Sequence, residues 1–131
     1  MTALQQLSEL EARLMLKHPM IKDRLRVFLA EYLDSIVRES EYMLTIADFT
    51  LEALAYCAFD CCRFLVANAV DIGLMIPQAG YDFGSMRVGD YANAFSRWPE
   101  ATRMRLTVAA FEFGPLHLEV VDDKFVYKGK Q

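Results

Sequence analysis

Apolar positions recur with a helical period through the first half of the chain. Leu4, Leu7, Leu10 and Leu14 follow one another at intervals of three and four residues, which places them on one helix face. Thr2-x-x-Gln5 and Ser8-x-x-Glu11 each match a capping box and can open that helix. Pro19 ends it near Lys17, because the residue before a proline is driven out of the α region. The same proline suits the first turn of a second helix. There Ile21, Leu25, Phe28, Leu29, Tyr32, Leu33 and Ile36 form a stripe, and the helix is expected to end between Arg38 and Tyr42.

A third helix is expected from an Asp48 cap to about Ile72, with Gly73 just beyond its end. One arc is almost wholly apolar (Leu51, Leu54, Ala55, Cys62, Leu65, Val66 and Ala69), so the helix should be central or covered by a partner. Between 73 and 90 the pattern breaks at Gly73, Pro77, Gly80, Gly84 and Gly89, which predicts a long irregular loop. A short helix capped by Asp90 follows, with Tyr91, Ala94, Phe95 and Trp98 inward.

The tail changes period. Arg103 to Val108 alternates polar and apolar, as a strand does; a helix from Pro99 is the rival reading. After Gly114-Pro115, Leu116, Leu118 and Val120 alternate with His117 and Glu119. Asp122-Asp123 can turn, and Lys124 to Tyr127 returns as a paired strand. The expected architecture is one α+β domain over 1–131. Three to four helices pack around a central apolar helix at about 49–72, with a C-terminal antiparallel β-hairpin or three-stranded meander.

At 54% hydrophobic and 24% charged, the composition of this 131-residue chain excludes intrinsic disorder. The longest apolar run, Ala53 to Phe59, is far short of the ~20 residues a membrane span needs. Glu9 and Glu11 sit where a signal peptide would be apolar, so a cytosolic location is expected. Cys57, Cys61 and Cys62 are an odd cluster rather than a disulfide framework, and they read as small buried hydrophobes. No phosphate-binding loop, zinc-protease or nucleophile-elbow motif is present, and no cofactor or metal is expected.

Charge adds more. Residues 39–90 hold two basic and eight acidic side chains, whereas the segments on either side are each slightly basic. Glu52, Asp60 and Asp71 fall in one half of the third helix, with Arg63 among them and Tyr56 in the same arc. With Tyr42, Tyr81 and Asp82, they would form an acidic and aromatic surface suited to a basic protein surface. The leading expectation is a non-enzymatic interaction module, an adaptor or inhibitor, that occupies the surface of a larger partner, such as the basic groove of a nucleic-acid-handling protein. Its partner-binding residues would be Glu52, Tyr56, Asp60, Asp71, Tyr81 and Asp82. The hydrophobic content predicts self-association or an obligate complex, without direct nucleic-acid or membrane binding. The alternative is a small-molecule-binding protein or enzyme that uses the 73–90 loop as a lid, with Asp82, Tyr81, His117 or Cys57 as its chemistry. A cavity lined by these groups would favour the alternative; a flat acidic patch would favour the module.

Overall fold

The computed structural model describes residues 21–129 together with Gln5 and Glu9, which are helical. The expected end of the first helix at Lys17 and Pro19 lies outside the described residues. The elements in order are α1 (Ile21–Glu39), a 3-10 turn (Ile46–Asp48), α2 (Leu51–Ala67), α3 (Ala69–Ile72), α4 (Ile76–Arg87), α5 (Glu100–Phe111), β1 (Leu118–Val121) and β2 (Lys124–Tyr127). This is the expected α+β class: helices with a C-terminal hairpin.

The α1 stripe is buried as its period predicts, through Leu25, Phe28, Tyr32, Leu33 and Ile36. Arg38 in the last turn favours the helix dipole, and α1 stops at Glu39 as expected. The most extensive helix contact runs from α1 to α4, with α1 to α2 second. The expectation that the other helices surround 49–72 finds no support in these contacts, although α2 buries ten of its 17 residues.

Segment 73–90 is not a loop. Its glycines permit close approach instead of breaking the chain. A Cβ on Gly80 would overlap the Phe28 carbonyl oxygen, and one on Gly84 would stand 2.8 Å from that of Tyr32. Four residues apart, they line one face of α4 and bring it against the α1 backbone. The Ser35 and Ser85 hydroxyls hydrogen-bond across this seam at 3.0 Å. The real breaks are Gly73 and Gly89, both at positive φ, on either side of α4. Above the seam, Phe83 stacks on Phe64 at 4.1 Å and meets Tyr32 at 5.2 Å and Phe113 at 5.1 Å.

Three other boundaries differ from expectation. Thr50, not Asp48, caps α2 by accepting from the Ala53 N–H, and Asp48 instead accepts from the Thr45 N–H at 2.7 Å. Residues 91–97 form successive turns with Phe95 at φ +60°, so no helix follows Asp90. Ala94, Phe95 and Trp98 are buried there as predicted, but Tyr91 is exposed. Finally, 100–111 is a helix, so the described residues hold no third strand. Alternation misled because α5 buries only Leu106 and Ala110, a strip narrow enough to leave Arg103 and Arg105 exposed on either side.

The hairpin stands. Leu118 pairs with Tyr127 and Val121 with Lys124, around Asp122 and Asp123, both at positive φ. It docks on the start of α2: Thr50 N–H donates to Phe125 O at 3.0 Å, and Phe49 stacks on Phe125.

Candidate functional site

Glu52, Asp60 and Asp71 do not share a surface. Asp60 is buried and pairs with the Arg87 guanidinium at 2.8 Å, with Arg63 a looser neighbour at 3.8 Å. The Tyr56 hydroxyl accepts from Arg87 at 2.7 Å and from the His117 backbone N–H at 3.2 Å. Tyr56 and Asp60 therefore belong to the core. Asp71 is bound through both oxygens by Arg105, and Arg105 holds its carboxyl below the ordinary carboxylate range. Glu52 is exposed in the first turn of α2. The expected stripe through Glu52, Tyr56, Asp60 and Asp71 is thus corrected: arginines from other elements take up three of its polar groups.

Arg87 was not foreseen. It is 3% exposed, and besides Asp60 and Tyr56 it reaches the Tyr32 hydroxyl and the Pro115 carbonyl, both at 3.4 Å. Burial works against its charge, while Tyr32, Asp60 and Tyr56 favour it, and the net shift is upward. One side chain so ties α1, α2, α4 and the segment leading to the hairpin. Its Nε has no partner among the described residues. In sequence it stands as a lone cation between Met86 and Val88, and only a helical reading of 76–87 would have turned it inward.

Cys57, Cys61 and Cys62 are buried and form no disulfide with one another, and burial pushes the Cys57 and Cys61 thiols up, away from the reactive thiolate. The His117 ring meets the Tyr56 ring edge-on at 6.5 Å. Neither Cys57 nor His117 lines the cleft described next. No group of three His, Cys, Asp or Glu side chains suited to a metal ion occurs among the described residues.

Tyr81 and Asp82 do come together, in a cleft of about 410 Å³. Glu39 at the end of α1 forms one wall. Gln78, Tyr81, Asp82 and Ser85 form the second, along one face of α4. Asp90, Asn93, Ser96 and Arg97 of the following turns close the third. So the 73–90 segment is a wall and not a lid. Its lining carries three carboxylates against one guanidinium.

The wall is held in place by its own hydrogen bonds. Asp82 is 5% exposed, and its Oδ2 accepts from the Trp98 indole at 2.8 Å and from Gln78 at 3.0 Å. Both donors address Oδ2, which leaves Oδ1 with acceptor capacity. Asn93 donates to Asp90 at 3.1 Å. Burial, with Glu39, Asp34 and Asp90 nearby and Arg38 opposing, raises the Tyr81 pKa, so this phenol keeps its proton at neutral pH. Gln78, Tyr81, Asp82 and Ser85 lie at i, i+3, i+4 and i+7, a polar helical stripe that the glycines concealed.

Comparison with protein families, with curated proteins and with solved structures found no match to this chain.

Proposed function

We propose that this protein binds a small, polar organic cation, such as an amine, in the cleft between the end of α1, α4 and the 90–97 turns. The observation that carries this reading is the pre-oriented Asp82 carboxylate, with Glu39 and Asp90 facing the same 410 Å³ space and only Arg97 to offset them. Three carboxylates gathered around a cleft lower the energy of a cation there, and a partly desolvated setting strengthens the attraction. The volume falls within the ~300–1,000 Å³ range of small-ligand sites. Each lining residue carries a polar side-chain group, which favours a hydrated, hydrogen-bonding ligand over a lipid. Binding is the function proposed; no histidine lines the cleft to activate the Ser85 or Ser96 hydroxyl.

The adaptor reading drew on an acidic face that Asp60 and Asp82 do not help to form, so its support has to come from another surface. Three cysteines outside any disulfide fit a reducing, cytosolic compartment.

Thermal-shift titration tests the proposal. Ligands that bind only the folded state raise the melting temperature with concentration. 1,5-Diaminopentane and arginine should do so, and acetate and phosphate should not. The effect should weaken in Glu39→Gln and Asp90→Asn, whose own melting temperatures stay close to wild type. Equal response to cations and anions, or none to any amine, would remove the proposal.

A further inference from the structure

Helix α5 turns three of its large apolar residues outward. Met104, Val108 and Phe111 are 62%, 61% and 66% exposed, and they follow one another at i, i+4 and i+7 on one face. Tyr91 extends the row, its ring 6.2 Å from that of Phe111. Isolated exposed apolar residues are ordinary, but a helical row of them marks a surface that another helix covers.

The charges beside this row indicate the occupant. Arg105 and Glu112 lie on the same flank of α5, one near each end of the row. Two α5 helices laid antiparallel about a two-fold axis through Val108 bring equal flanks together. Each Met104 then lies level with the Phe111 of the second copy, and each Arg105 faces its Glu112. The row and the flank are thus self-complementary, as an isologous interface requires. Asp71 already restrains the Arg105 guanidinium, whose side chain is still 58% exposed. The Glu112 carboxylate forms no ion pair among the described residues.

We propose that α5 is a homodimer interface in which two copies pack antiparallel through Met104, Val108 and Phe111, with reciprocal Arg105–Glu112 pairs. A single helix of ~18 Å gives a small contact, so the association is reversible and depends on concentration. Met104, Arg105, Val108, Phe111 and Glu112 line no part of the amine cleft, and the interface does not depend on that reading.

Sedimentation velocity over a concentration series tests it. The wild-type chain should pass from 15.0 kDa toward twice that mass. Val108→Asp, which sets two carboxylates on the axis, should weaken association at least tenfold. Glu112→Arg and Arg105→Glu should each weaken self-association, but mixing the two should restore a dimer, because each then offers the charge the other lacks. Circular dichroism should show all three variants folded, since these side chains are exposed. A chain that stays at 15.0 kDa up to millimolar concentration overturns the proposal. So does a dimer indifferent to these changes, and so does a mixture that fails to associate while both variants are folded.

Discussion

Helices α4 and α5 are each 12 residues long, and they use their side chains in opposite ways. The first buries eight residues, including two glycines, a serine, an aspartate and an arginine. The second buries two and holds methionine, valine and phenylalanine in solvent. Burial here follows backbone spacing and hydrogen-bond partners more than residue type. Glycines let α4 touch α1, and that contact gives its polar side chains buried partners. Beside that contact, the polar stripe of the same helix faces the cleft, with Glu39 of α1 forming another wall. Helix α5 has only a Leu106–Ala110 strip inside, so Met104, Val108 and Phe111 stay largely exposed.

The contrast can be broken most forcefully at Arg87. Arg87→Met leaves the buried Asp60 carboxylate with only the looser Arg63 beside it, and urea denaturation should show a loss of about 3 kcal/mol. Arg103→Met, the matched change on α5, should leave the urea midpoint close to wild type, because Arg103 is exposed. Next in size is Gly80→Ala. Alanine is the better helix former, yet its methyl meets the Phe28 carbonyl, and overpacking of this kind costs about 1–3 kcal/mol. A gain in stability at this position would mean that the α1–α4 seam is looser than described.

A smaller effect concerns the thiols. At pH 8, Cys57 and Cys61 should resist a thiol-labelling reagent until the chain is unfolded, because burial both blocks access and raises their pKa. Rapid labelling of the native protein would place α2 nearer to solvent than its packing implies.

The smallest effect is at the edge of α5. The folded-state pKa of Asp71 lies below its ordinary 3.8, first through the hydrogen bond from Arg105. Such a group adds stability above its unfolded pKa and loses it as pH falls through the lower folded value. The stability difference between wild type and Asp71→Asn should therefore be complete at neutral pH and shrink below about pH 4. A difference that grows toward acid would show that the carboxylate is not held by Arg105.

These two helices also separate what was legible in the sequence from what was not. The α1 stripe, the end of α1 at Glu39, the hairpin with its Asp122–Asp123 turn and the buried cysteines all follow local rules of period or turn chemistry. The α4 helix does not. Gly80 and Gly84 carry the same letters as turn glycines, and only the nearby α1 backbone distinguishes them. In α5, a two-residue buried strip left the helical period too weak to outweigh the chance alternation of 103–108. Of the expected site residues, Tyr81 and Asp82 meet in the cleft. Tyr56 and Asp60 went elsewhere because Arg87, distant in sequence, reaches them in space. Glu39, Asn93 and Arg97 join the cleft through chain folding that no local motif records.

Backbone amide chemical-shift mapping during titration with 1,5-diaminopentane would judge the division of labour between α4 and α5. Saturable shifts should cluster at residues 78–85 and 90–97 and reach Glu39, with residues 100–111 unmoved. Saturable shifts centred on α5 or on the hairpin, or none anywhere, would contradict the assignment of the cleft as a cation site.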